Sequence, residues 1–219
     1  RSVAVKVLLP GIRDAIRLDL RALGWLTAPI GRLKKGFDLA AYRREVGAML
    51  AEESDFLNEA GNLRTFGNMI REMADVEVPS VFDDLSSDGV LTMSWIAGER
   101  FSDAMGWDEH ERLSIAHTLV ELFVRGIFSW GMLHADPHPG NYRFTRGENP
   151  VVGLIDFGCV KRIAPEFRDA LGGLIRCGES TQSNADLCAQ WERLGFHRGT
   201  IERLGDRIVD VTEILTEPF

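Results

Sequence analysis

Hydrophobic positions fall into runs of two different periods along this 219-residue chain. Val3 to Leu9 is a dense β-branched and aliphatic run closed by Pro10-Gly11, which predicts a strand. Ile12, Ile16, Leu20 and Leu23 then recur at three- and four-residue steps, the mark of an amphipathic helix. A basic, glycine-containing break spans Gly31 to Phe37. Asp38 is the candidate cap of a second, longer helix, with an apolar stripe running from Leu39 and Tyr42 through Leu57, Ala60, Leu63 and Phe66 to Ile70. Glu53 falls on that stripe one turn before Leu57, and Asp55, Glu59 and Asn62 form a polar line beside it. Glycines at 47 and 61 lower helix propensity, which predicts close packing or a bend.

Val76 to Phe82 reads as a strand, 83–89 as a loop, and Val90 to Ile96 as the partner strand of a hairpin. Ala97-Gly98 follows as a small-residue break. The clearest helix runs from Glu111 to Trp130, with Leu113, Leu119, Phe123 and Ile127 on one side and Gly131 as its stop. A Pro/His/Gly loop comes next, then short strands near Tyr142–Phe144 and Val151–Ile155. From Pro165 onward the chain reads as helical: one helix through Phe167, Leu171, Leu174 and Ile175, a second over 187–194 and a third over 201–215. A small sheet with one long helix thus precedes a mostly helical body. The expected architecture is α+β and two-lobed, with residues 1–97 in the first lobe and 98–219 in the second.

Composition narrows the functional classes. With 45% hydrophobic and 26% charged residues the chain can bury a real core. Its net charge of -8 argues against nucleic acid as a partner. An acidic chain still binds phosphate where backbone N–H groups, a lysine or a metal ion carry the contact. Cys159, Cys177 and Cys188 match neither a zinc pattern nor a disulfide framework, so a reducing, cytoplasmic setting is expected. No apolar run reaches the roughly 20 residues of a membrane span. The opening residues do not resemble a signal peptide; Arg1-Ser2 leads straight into an interior-like strand, and more of a longer protein is expected before it. Ile12, Ile16 and Leu20, followed by Trp25-Leu26, are read as core rather than lipid contacts.

The chemistry concentrates in three places. In His134-Ala135-Asp136-Pro137-His138-Pro139-Gly140-Asn141, an Asp and an Asn five apart on a proline-stiffened loop can converge on a metal–phosphate site. The Asp accepts a proton or positions an acceptor, and the Asn oxygen ligates magnesium. Fifteen positions later, Asp156-Phe157-Gly158 ends an apolar strand with a carboxylate suited to a hard cation. Upstream, Lys6 on a strand and Glu59 on a helix form a pair that would hold the ammonium against nucleotide phosphates. Each piece has a bland alternative: Asp-Phe-Gly as a turn, Lys6 as an edge charge, Glu53 as a snorkelling surface carboxylate. His134 and His138 stand at zinc-like spacing, but the intervening prolines forbid a helix, and His134 is read as a loop brace. Joint occurrence in one order decides for the functional reading.

These residues resemble the UbiB/AarF/ADCK family of atypical kinases. The match is carried by Val3-Ala4-Val5-Lys6-Val7, Glu53-Ser54-Asp55, Asn58-Glu59-Ala60 with Asn62, the 134–141 loop and Ile155-Asp156-Phe157-Gly158. The resemblance implies a protein-kinase-like fold with an incomplete first lobe. It implies ATP and Mg²⁺ as ligands, Lys6 and Glu59 as the nucleotide-supporting ion pair, and Asp136 as the catalytic acid. Asn141 and Asp156 would be metal ligands, with Ser94 and Ile96 as backbone contacts to adenine. It also implies a role in ubiquinone or other isoprenoid-lipid synthesis, quinone-pathway proteins or lipid as partners, and peripheral association with an inner membrane. The family's Lys-x-Gly-Gln segment and alanine-rich nucleotide loop would precede the first strand, and Glu53 and Asp55 would dock that segment. Ala164-Pro165-Glu166 follows Gly158 by only six positions, too close for an ordinary activation loop, and is read as a helix start. Two alternatives stay open: a small-molecule phosphotransferase resembling aminoglycoside kinases, and a non-catalytic nucleotide- or lipid-binding module.

Overall fold

A computed structural model describes residues 2–15, 18–19, 22, 47, 54–178, 183–205 and 207–216. They form two compact units, Arg1–Phe123 with His134–Lys161, and Val124–Leu133 with Arg162–Phe219.

The first unit begins with β1 (Val3–Val7), whose burial alternates residue by residue. Period-two geometry turns Val3, Val5 and Val7 outward and puts Lys6 on the inward side. Helix α1 (Phe56–Met69) starts where the Asp55 carboxylate accepts the Asn58 N–H at 3.0 Å. It buries Phe56, Glu59, Ala60, Leu63 and Phe66, a stripe at helical spacing that includes a carboxylate. The long helix expected from Asp38 therefore does not run through: Ser54 lies in a turn, and Asp55 is an N-cap rather than an interior position. Gly61 faces open space, so close packing does not explain it, whereas Gly67 packs against Val78.

β2 (Val76–Glu77) and β3 (Val90–Ser94) do not form the expected simple hairpin. β3 pairs antiparallel with β1, placing Lys6 opposite Leu91. β2 instead runs parallel to a later strand. Only 80–82 lie against β3, through the Phe82 N–H to Thr92 carbonyl and Ser94 N–H to Ser80 carbonyl bonds. The four-residue α2 (Phe101–Ala104) and α3 (Glu109–Arg125) follow. Thr118 on α3 is almost fully buried and donates its hydroxyl to Asp75. The short strand β4 (Met132–His134) leads into the loop before β5 (Tyr142–Thr145) and β6 (Val151–Leu154). β6 is the middle of a three-stranded sheet, antiparallel to β5 and parallel to β2. β7 (Val160–Arg162) comes next.

In the second unit, the π-helical turn Gly126–Trp130 that continues α3 ends at Gly131, whose φ of 62° is the left-handed stop the sequence predicts. Helices α4 (Pro165–Gly178), α5 (Asn184–Arg193), α6 (Arg198–Leu204) and α7 (Arg207–Thr216) surround a core of Leu174, Cys177, Leu187, Trp191, Ile201 and Ile208. Pro165 opens α4, as its fixed φ and missing N–H allow. The single helix expected over 201–215 is two, because Gly205 turns the chain with φ of 53°. None of the three cysteines forms a disulfide.

Candidate functional site

Lys6, from β1, places its ammonium between two carboxylates. Glu59 Oε1 lies 2.5 Å away and Asp156 Oδ2 2.9 Å away. Glu59 is 3% exposed, so its charge survives burial only because donors surround it. The second donor is the Phe157 N–H, at 3.1 Å from the same Oε1. One buried oxygen thus ties the strand lysine to the segment after β6.

That segment is held on every side. His134 Nε2 lies 2.6 Å from the Asp156 carbonyl; a carbonyl only accepts, so Nε2 carries the proton. His134 Nδ1 is buried without a hydrogen-bond partner. Asn62 Nδ2 donates to the Phe157 carbonyl at 3.1 Å, and the Gly158 N–H donates to Asp156 Oδ1 at 3.0 Å. The Phe157 ring is fully buried, tilted against Phe66 at 5.1 Å and edge-on to His134 at 5.4 Å between centroids. The chain 134–141 is tied to the same segment by the Ala135 N–H to Cys159 carbonyl and Ile155 N–H to Asn141 carbonyl bonds, both 3.0 Å.

Burial is the largest influence on the Asp156 carboxyl and raises its pKa. The Lys6 charge, the Gly158 N–H, the Lys6 hydrogen bond and the field of His134 outweigh it, and the pKa lies below the ordinary aspartate value. Burial, aided by the charge of Asp136, pushes the Tyr142 hydroxyl upward. Tyr142 was not singled out from the sequence; its only signal is alternation with Phe144 on β5, the ring it stacks on at 6.2 Å.

On the loop itself, Asp136 is exposed, and Asn141 Nδ2 donates to its Oδ2 at 2.7 Å and its carbonyl at 3.2 Å. With its NH₂ end committed to two acceptors, Asn141 turns its amide oxygen away from Asp136. His138 Nδ1 accepts the Gly140 N–H at 3.0 Å and caps the 3-10 turn Pro139–Asn141. A Cβ on Gly140 would sit 2.9 Å from that nitrogen, so a larger residue there would push the His138 ring off its cap.

The structure therefore brings Lys6, Glu59 and Asp156 into one contact set, and Asp136 with Asn141 into another on a loop bonded to the segment after β6. Ser94, at the end of β3, is engaged with Ser80 through its N–H and its hydroxyl. Ile96 is buried across the open face of Gly153. Asp55 is the α1 cap, and Glu53 lies outside the described residues. Among the described residues no group of three or more His, Cys, Asp or Glu side chains forms a metal cluster. Asp156 and the Asn141 amide oxygen are hard donors of the kind Mg²⁺ takes when phosphate oxygens and water complete its shell, so the donor set fits that ion better than zinc.

Residues 1–184 match the ABC1 atypical kinase-like domain. An aarF domain-containing protein kinase of Arabidopsis thaliana, chloroplastic, is 35% identical over 223 residues, covering 100% of this chain and 30% of its own. The atypical kinase coq-8, mitochondrial, of Caenorhabditis elegans is 32% identical over 181 residues, covering 80% of this chain and 24% of its own. Among solved structures, the Rv3197–erythromycin complex from Mycobacterium tuberculosis superposes with a TM-score of 0.67 at 29% identity, over 81% of this chain and 44% of that one. The chain spans between 24% and 30% of the length of these two curated relatives.

Proposed function

The chain belongs to the ABC1, or UbiB/AarF/ADCK, family of atypical kinase-like proteins, and from that premise we propose that it binds ATP with Mg²⁺ and transfers or hydrolyses the terminal phosphoryl group. The observation that carries the reading is Lys6 Nζ seated between Glu59 and Asp156. Fixing the partly exposed lysine in this way holds a positive charge where nucleotide phosphates need one, at little entropic cost on binding.

Each residue takes a role consistent with its contacts. Glu59 keeps Lys6 oriented toward the α- and β-phosphates, and Ser94 and Ile96 present backbone to the adenine. Asp156 and Asn141 hold the ion, which when bound neutralises phosphate charge. Asp136 has one oxygen occupied by Asn141; its other oxygen orients an acceptor hydroxyl or a water. His134 fixes the Asp156 peptide. We place the lobe boundary at Ala97-Gly98, where the φ of 136° at Gly98 redirects the chain after β3.

The role that the family resemblance implies is in quinone or other isoprenoid-lipid synthesis, with the protein peripheral to a membrane. No helix among the described residues is long and apolar enough to cross a membrane.

The test is thermal unfolding of the chain and of Asp156→Ala with ATP, with and without Mg²⁺. A ligand at 100 times its Kd adds about 2.7 kcal/mol. A magnesium-dependent rise in Tm that Asp156→Ala abolishes supports the reading; an identical rise in both proteins removes Asp156 from the site.

A further inference from the structure

Two peptide planes flank Phe157, and the hydrogen bonds on them are not equivalent. The 156–157 plane is held from outside at both ends, by His134 on its carbonyl and Glu59 on its N–H. The 157–158 plane has one bond from another element, Asn62 Nδ2 to the Phe157 carbonyl. Its other end, the Gly158 N–H, bonds back to the Asp156 carboxylate. Asn62 and Glu59 stand three apart on α1, one turn of the same face, so a single helix grips Phe157 by its N–H and its carbonyl together.

We propose that Asn62 is a positioning residue that sets the Asp156 carboxylate through the 157–158 peptide, without touching nucleotide or ion. If that plane turns, the Gly158 N–H leaves Asp156 Oδ1, and Lys6, the carboxylate's other partner among the described residues, cannot by itself fix its rotation about χ2. Phe157 gives the peptide no freedom to compensate, because its ring is packed between Phe66 and His134. Glycine at 158 favours such a turn, having no Cβ to resist it. Asn62 therefore does from outside what burial does for Phe157: it keeps Asp156 in one orientation before any ligand arrives. The Gly158 N–H is the direct hydrogen-bond partner of Asp156, and losing such a partner of a metal ligand typically changes metal affinity about 10–100-fold.

This inference rests on the nucleotide reading for its consequence and on geometry alone for its cause, and two measurements separate them. Residue-resolved amide hydrogen exchange is followed on the chain, on Asn62→Leu, which removes the donor, and on Asn62→Asp, which keeps the volume but turns an acceptor toward the Phe157 carbonyl. Gly158 is expected to exchange roughly tenfold faster or more in both variants, with Phe157 still protected by Glu59. Equal acceleration at both amides, or none at either, overturns the proposal, since loss of general stability moves the two together. In parallel, the Mg²⁺ concentration giving half of the nucleotide-induced Tm shift is measured with a non-hydrolysable ATP analogue. It is expected to rise about 10–100-fold in the variants and to be overcome by excess Mg²⁺; an unchanged Mg²⁺ requirement refutes the positioning role. If the unmodified chain shows no Mg²⁺-dependent shift, the nucleotide reading fails, and the contrast between Gly158 and Phe157 decides the inference.

Discussion

Glu59→Ala removes the acceptor of two buried donors at once, and the size of its effect can be worked from those contacts. The Phe157 N–H loses its partner in a place water does not reach, which costs about 1–3 kcal/mol. Deleting one member of a buried ion pair typically costs about 3–5 kcal/mol. Here that figure shrinks, because Lys6 is 26% exposed and keeps Asp156 at 2.9 Å, leaving roughly 1–2 kcal/mol. The total expected for Glu59→Ala is about 2–5 kcal/mol. Glu59→Gln keeps the shape and a carbonyl oxygen facing both donors; it loses only the charge assistance, and about 1 kcal/mol is expected. Urea unfolding of both variants, and of Lys6→Met with and without Glu59→Gln, measures this. Glu59→Ala should lower the midpoint at least twice as far as Glu59→Gln at unchanged slope. Glu59→Gln should couple to Lys6→Met by about 0.5 kcal/mol or more. Equal effects of Ala and Gln, or no coupling to Lys6, would show that neither the Phe157 amide nor the ion pair depends on this carboxylate as argued.

Three other outcomes are expected. Gly98→Ala places a Cβ 2.9 Å from the Phe144 carbonyl oxygen at a φ of 136°, against backbone that cannot swing aside, and should cost about 2 kcal/mol or more; Gly61→Ala, in open space on α1, should instead stabilise by about 0.5–1 kcal/mol, both read from denaturant midpoints. Because the folded pKa of Asp156 lies below its ordinary 3.8, its contribution is present in full above the unfolded value and disappears as pH falls through the folded one. Unfolding midpoints taken from pH 5 downward should therefore lose less in Asp156→Asn than in the unmodified chain, and parallel curves would contradict that. Asp136→Asn should leave Mg²⁺–nucleotide binding intact while lowering turnover about 10²–10⁴-fold; unchanged ATP hydrolysis removes Asp136 from the chemistry.

Much of the site is legible in the residues because its parts are punctuated locally. Pro137, Pro139 and Gly140 announce a stiff loop, and Asp-Phe-Gly closes an apolar strand; the alternation of Val3, Val5 and Val7, by contrast, would by period alone turn Lys6 outward, and the structure exposes the valines instead. Local signals also fix the start of α4 at Pro165 and the stop at Gly131. Where the sequence reading fails, the competing information is long-range or conformational. Apolar spacing continues across Ser54-Asp55 and across Gly205, yet a capping carboxylate and a left-handed glycine interrupt the helices there. β2 joins a strand some seventy-five residues away rather than its chain neighbour, a choice that no local pattern encodes.

The sequence by itself determined which residues are candidates for the chemistry and on what kind of element each stands, since side-chain type and hydrophobic period are local properties. Only the tertiary structure decided that Glu59 belongs to the buried stripe of α1 rather than beside it, that one of its oxygens serves both Lys6 and the Phe157 amide, and that Asn62 closes the grip on the next peptide. Those are contacts between groups more than fifty positions apart. They exist because burial leaves each polar group one partner within reach, and which partner that is depends on packing, not on spacing along the chain.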